Sequence, residues 1–228
     1  MIYMREFILS YGEYITYGLA AFDLLMTLAI LATGRKETKS LALIMGIVGL
    51  GLVYDCVVVA IGSFLKGSDL LVMLSKGRYI LHGIMVPLMF PISLYALQPT
   101  KQGKIMTWII TLFLLGGGIA AGIFTQLESV EIAGIFRYTA SSATPKWASI
   151  LDRIMTVGGV VILIGAGVIV LKQQKNIALL LSGVFMLVFS ALAPITGNLD
   201  LNFLIGMVGE ALMLLFFMFH VKTVKIEQ

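Results

Sequence analysis

The residues of this sequence that could do chemistry lie inside long apolar segments. An ionised side chain at membrane depth costs about 2.5–3.5 kcal/mol on insertion scales, so such residues persist when they are paired or when they face water or a ligand. Four are carboxylic acids, two are arginines, and a histidine and an asparagine complete the set. The eight residues are Asp23, Asp55, Arg78, His82, Asp152, Arg153, Asn202 and Glu210. Their depths are similar, which predicts one polar cluster that binds a ligand or protons.

Arg78 and His82 are four residues apart. A helix therefore places them on one face, one turn above the other. The arginine would bind an anionic group or hold a carboxylate in place, and its expected partner is either Asp55 or Asp152. The histidine titrates near physiological pH in its unperturbed form. We expect the neighbouring helices to be arranged around this charged helix.

The last apolar segment presents a second polar row. Asn202, Gly206 and Glu210 follow an i, i+4, i+8 spacing, so they share one helix face with the glycine in the middle. A glycine at this point leaves space for a neighbouring helix or for a ligand. Together with Asp55, Glu210 would exchange protons or bind a cation.

No cofactor is favoured by the sequence. Asp55, His82 and Glu210 are chemically adequate zinc ligands, but the chain has only two histidines, and His82 and His220 fall at opposite ends of the predicted bundle. That separation also excludes a haem held by two histidines. A retinal Schiff base would need a lysine inside the last apolar segment, and residues 201–220 contain none. Zinc therefore enters only under an alternative function.

The composition identifies the class of protein. Apolar residues make up 59% of the chain and charged residues 12%, against about 45–50% and about 25% in an ordinary soluble domain. A membrane-spanning helix needs about 20 apolar residues. Seven segments meet this length: 14–33, 41–64, 78–97, 105–124, 150–171, 177–195 and 201–220. The sequence therefore predicts an all-α, polytopic membrane protein, with residues 1–228 forming one seven-helix domain.

Charge predicts the orientation of this bundle. The connections on one side, with the C-terminal tail, have nine lysines and arginines against two acids, whereas the other side has seven of each. Because lysine and arginine mark the cytoplasmic face, we expect the N-terminus outside, the C-terminus in the cytoplasm, and a multi-pass protein of the cell membrane. The longer connections, 65–77 and 125–149, then lie outside. The basic rim indicates contact with lipid headgroups and not with nucleic acid.

Three functions fit these observations. The favoured one is a transporter of a small molecule or an ion, with proton coupling as one form, in which Pro87, Pro91 and Pro194 would act as hinges. The first alternative is a membrane-embedded, metal-dependent hydrolase that acts on a lipid. The second is a seven-helix receptor or binding protein for a small amphiphile, without retinal. The bilayer and a small ligand or ion are the expected partners, and homo-oligomerisation stays open.

Overall fold

The computed structural model describes residues 2–195 and 197–224 of the 228-residue chain. Within those residues it contains seven helices and one β-hairpin. In chain order the elements are α1 Ile2–Thr33, α2 Lys39–Ala60, α3 Asp69–Ala96, α4 Lys101–Phe124, β1 Leu127–Ile132, β2 Ile135–Ala140, α5 Lys146–Gln174, α6 Ala178–Ile195 and α7 Leu199–Thr223. Each of the seven apolar segments forms a helix, so the predicted helical fold is confirmed.

Six of these helices are long and apolar enough to cross a membrane. They are α1 from Leu9, α2, α3, α4, α5 and α7 from Asp200. The exception is α6, in which Ala178–Ser190 is a shorter apolar helix. The architecture is that of a membrane protein.

Several helices extend beyond the apolar segments that predict them. The clearest case is α3, which begins at Asp69 and not near Arg78. Ser68 caps it, because its hydroxyl accepts a hydrogen bond from the Leu71 amide at 3.2 Å, and Asp69 places an acid in the first turn. Residues 69–77, expected to belong to an outer connection, are therefore the first two turns of α3.

The connection between α4 and α5 is not an irregular loop but contains a β-hairpin. Strands β1 and β2 pair antiparallel, with Val130 opposite Arg137 and Ile132 opposite Ile135. Ala133 and Gly134 form the two-residue turn with φ of 56° and 72°, the positive values that a tight hairpin turn requires. Side chains alternate between the two faces of a strand, so Ile135 and Arg137 point the same way, and both are buried.

The end of the bundle remote from the hairpin is packed with apolar side chains. Met45, Ile92, Leu163 and Phe217 are fully buried there. They come from α2, α3, α5 and α7, and three of them lie near the helix ends that face away from the hairpin. Between the same helices, the hairpin end is polar. The bundle thus has an apolar half and a half in which charged groups meet.

Candidate functional site

A polar cavity of about 290 Å³ lies between the helices at the hairpin end of the bundle. It is bordered by α2, α3, α5 and α7, and by strand β2. The polar residues that line it are Asp55, Arg78, Tyr79, His82, Arg137, Asp152, Asn202 and Glu210. Six of the eight residues proposed from the sequence therefore share one cavity.

Arg78 and Asp55 form an ion pair between α3 and α2. Arg78 Nε donates to Asp55 Oδ1 at 2.8 Å, and Nη2 donates to Oδ2 at 3.1 Å. This two-point contact is the geometry that a guanidinium and a carboxylate prefer. The third nitrogen, Nη1, lies 3.5 Å from the Tyr138 carbonyl oxygen of the hairpin. Of the two partners considered for Arg78, the structure selects Asp55.

His82 lies one turn further along α3 and pairs with a different acid. Its Nδ1 is 3.2 Å from Asp152 Oδ1 on α5. Both side chains are accessible from the cavity, with 38% of His82 and 50% of Asp152 exposed. Since a histidine can gain or lose its proton near neutral pH, this α3–α5 contact can change charge, whereas the Arg78 pair stays charged.

Arg137 is the main site residue that the sequence interpretation missed. It lies in β2 and is only 9% exposed. Its Cζ atom is 4.2 Å from the centre of the Phe203 ring, a cation–π distance. Nε and Nη1 are shielded from solvent, and no described residue accepts a hydrogen bond from either of them. Burial, with the nearby charge of Arg78, lowers the pKa of Arg137 to about 10, so the group remains a cation at neutral pH.

Helix α7 contributes the opposite wall. Asn202, Gly206 and Glu210 all line the cavity, as their spacing predicts. A methyl group added at Gly206 would meet no atom within 4 Å, so the glycine leaves open space between the two polar residues. Glu210 forms no ion pair with any residue that the structure describes.

Two proposed residues lie outside the cavity. Asp23 of α1 is fully buried, and Cys56 Sγ donates to its Oδ2 at 3.4 Å. Arg153 of α5 is exposed and borders a neighbouring depression together with Lys146 and Ser142. Helix α1, which we expected to line the site, therefore contributes nothing to it among the residues described.

The hairpin is fixed to three helices, and this positions Arg137. The Ala133 amide donates to Asp200 Oδ1 of α7 at 2.7 Å, and the Phe136 amide donates to Ser63 Oγ, just beyond α2, at 3.1 Å. A side chain at Gly12 of α1 would overlap the Ala133 carbonyl oxygen, so the turn lies directly against α1. The hairpin forms one wall of the cavity.

Within the part of the chain that the structure describes, the acidic and histidine side chains are not grouped as a compact metal site. Asp55, His82 and Glu210 line the same cavity, but among residues 2–195 and 197–224 no three histidine, cysteine or acidic side chains are grouped closely enough to hold a metal ion. His220 is fully buried in the apolar half of α7. What the cavity does offer is two guanidinium groups, three carboxyl groups and one imidazole. No family model matches this chain, and no curated protein matches it.

Proposed function

We propose that this protein is an integral membrane transporter of a small molecule or an ion, and that the cavity is its binding site. One observation supports this best: charged and titratable side chains from four helices surround a space at one end of the bundle, while the other end is filled with apolar side chains. A binding site that is closed on one side by a packed core is the arrangement of a carrier in one of its two states.

All seven helices span the membrane in this proposal, with the N-terminus outside. Helix α6 has 18 residues, which at 1.5 Å per residue is about 27 Å long, close to the hydrocarbon thickness of about 30 Å. Seven spans place the hairpin on the side with no net charge and the lysine-rich connections in the cytoplasm. The cavity then opens toward the outside of the cell membrane.

Cysteine labelling tests this orientation. The natural Cys56 is buried, so it gives a low background with a membrane-impermeant maleimide. We expect Ser142→Cys, next to the hairpin, to be labelled on intact cells, and Lys172→Cys to be labelled only after the membrane is permeabilised. The reverse result would overturn the orientation, and labelling of both positions on intact cells would overturn the seven-span topology.

Transport requires the apolar half to open after the ligand has bound. Helix α3 is the element to bend, because Pro87 and Pro91 lie inside it, between His82 and the buried end at Ala96. Each proline removes one backbone hydrogen bond and weakens the helix there. A change in the charge of His82 would release or strengthen its contact with Asp152, and this would couple proton binding to the position of α3 against α5.

A flux assay in liposomes tests the transporter. With a pH-sensitive dye inside the vesicles, we expect the wild-type protein to move protons and both His82→Ala and Glu210→Gln to reduce the rate at least about a hundredfold, the low end of what a positioned proton-transfer group contributes. Glu37→Gln, in the α1–α2 connection, is the matched control and should keep the wild-type rate. Equal rates in all four proteins would refute proton coupling through the cavity.

One observation supports the alternative function, a metal-dependent hydrolase: Asp55, His82 and Glu210 border one cavity. Elemental analysis of the purified protein separates the two functions. Stoichiometric zinc that is lost in both His82→Ala and Glu210→Gln would replace the transporter with a metal enzyme. Purified protein that contains no zinc, yet binds protons and ligands, would support the transporter proposal.

A further inference from the structure

The ion pairs of the cavity leave one guanidinium and one carboxyl group without a partner among the described residues. Asp55 is matched by Arg78, and Asp152 by His82. Arg137 and Glu210 line the same cavity, yet neither forms an ion pair with any described residue, including the other. A guanidinium on the hairpin wall and a carboxyl group on the α7 wall are therefore available together.

We propose that the cavity binds a small zwitterion, with its anionic group at Arg137 and its ammonium group at Glu210. This names the class of substrate for the cavity and rests on the proposed function. A charge held in a low-dielectric site without a partner is costly. A ligand that is only an anion would leave the Glu210 carboxyl group without a partner, and one that is only a cation would leave the Arg137 guanidinium without one. A zwitterion compensates both.

The geometry of each end fits this ligand. Arg137 is nine-tenths buried, and the ring of Phe203 supports its guanidinium. A planar guanidinium recognises a carboxylate or a phosphate by two parallel hydrogen bonds. Leu52, Met85 and Met207 add an apolar surface to the same cavity, which suits the carbon atoms that join the two charges.

The size of the cavity limits the ligand. A water molecule occupies about 30 Å³ in the liquid, so about 290 Å³ has room for about ten water-sized groups. This fits an amino acid, a betaine, or the phosphoethanolamine headgroup of a phospholipid. These sources share one chemistry, an ammonium group a few atoms from an anionic group.

Binding of radiolabelled glycine betaine and L-alanine to the purified full-length protein in detergent tests the proposal. We expect at least one of them to bind, and Arg137→Gln and Glu210→Gln each to weaken binding about ten- to hundredfold, as the loss of one charged binding partner does. Arg35→Gln and Glu37→Gln, at the other end of the bundle, are matched controls and should bind as the wild type does. Arg137→Lys keeps the cation and should retain part of the affinity, which separates lost binding from failed folding.

Single-charge competitors and a lipid arm complete the design. Acetate and tetramethylammonium should compete far more weakly than glycine betaine. If acetate competes equally and Glu210→Gln has no effect, the site is a simple anion site and the proposal is overturned. In nanodiscs, phosphatidylethanolamine that stays with the wild type but not with either cavity variant supports a headgroup as the zwitterion. The absence of zwitterion binding in both arms overturns the proposal.

Failure of this inference can be told apart from failure of the transporter. Binding in detergent needs no movement across a membrane. A protein that binds glycine betaine or L-alanine through Arg137 and Glu210, but moves neither into liposomes, retains the zwitterion site and is not a carrier. A protein whose proton flux depends on Glu210, and which binds no zwitterion, is a carrier with a different substrate.

Discussion

Asp55→Asn tests whether the Arg78 pair holds the bundle together. The substitution keeps the shape of the side chain but removes the charge that accepts two hydrogen bonds from Arg78, at 2.8 and 3.1 Å. Arg78 keeps its proton at neutral pH, because the cation is the stable form of a guanidinium there. Its side chain is 8% exposed, so the substitution leaves a cation buried with no compensating anion.

The expected cost follows from that burial. Removal of one partner from a buried ion pair destabilises a protein by about 3–5 kcal/mol. The Asp55 side chain is 24% exposed to the cavity, so water reaches it in part, and we expect the lower end, about 3 kcal/mol. Because 1.4 kcal/mol is a factor of ten, this is about a hundredfold in the ratio of folded to unfolded protein. The free energy of unfolding in mixed detergent and SDS micelles measures it.

Asp152→Asn is the matched control, because it removes the same charge from the neighbouring pair. Here we expect a cost below about 1 kcal/mol, the usual range for an exposed ion pair. Asp152 is half exposed, and His82 can release its proton when its partner is lost. Equal costs for the two substitutions would refute this reasoning.

A double substitution separates the unpaired charge from lost packing. Asp55→Leu combined with Arg78→Met removes both charges and retains similar volumes, and such replacements are often neutral or stabilising. We expect the double variant to be more stable than Asp55→Asn alone. A double variant as unstable as Asp55→Asn would mean that packing, and not the unpaired guanidinium, explains the loss.

Three further predictions concern the parts that position the site. Gly83→Ala should lower the free energy of unfolding by about 1–3 kcal/mol in the same micelle titration, because the added methyl would overlap a backbone carbonyl oxygen of α4. Gly116→Ala is the control: a methyl group there would meet no atom within 4 Å, so the free energy of unfolding should change little. Similar losses for both variants would contradict a close approach of α3 to α4. Asp200→Ala removes an acceptor for the hairpin turn and should raise amide hydrogen exchange in residues 127–140 about tenfold, so unchanged exchange would mean that the hairpin is held by other contacts. Binding of glycine betaine should weaken as the pH rises from about 9 to about 11, since burial and a neighbouring cation lower the pKa of Arg137 to about 10 and a neutral guanidine no longer attracts an anion. Both charges of the betaine persist in this range, so constant affinity across it would exclude Arg137 as the anion-binding group.

The helices could be predicted from the sequence because the bilayer sets a length for them. A run of about 20 apolar residues with few charges has one common explanation, and all seven runs are helical. Helix ends were less predictable, since a polar turn can continue a helix past the apolar run, as the Ser68 cap and Asp69 do for α3. The composition of residues 125–149 does not by itself predict a hairpin. The turn at Ala133 and Gly134, and the apolar residues on either side of it, were the available signal.

The sequence predicts the depth of each site residue in the bundle, but not which neighbouring helix its side chain faces. The position of a residue along a span fixes its depth in the bundle. Asp55, His82 and Glu210 have similar depths, and they line one cavity. The sequence does not fix which neighbour a helix face meets. Asp23 has a suitable depth, but its side chain meets Cys56 of α2 instead of the cavity. The position of Arg137 depends on the hairpin, because this residue lies in β2.

The charges in the cavity fall into two groups with different consequences. Arg78 with Asp55, and His82 with Asp152, join α2, α3 and α5, and helix packing alone is a sufficient reason for such pairs. Arg137 packs on the Phe203 ring of α7, but neither Arg137 nor Glu210 forms an ion pair with any described residue, so burying these groups adds a cost that no ion pair offsets. A bundle that needed only stability would do better with apolar residues at both positions. Because an unmatched guanidinium and an unmatched carboxyl group border one cavity, the substrate that pairs with both is a zwitterion, and Arg137→Gln and Glu210→Gln are expected to weaken its binding while leaving the two helix-joining pairs in place.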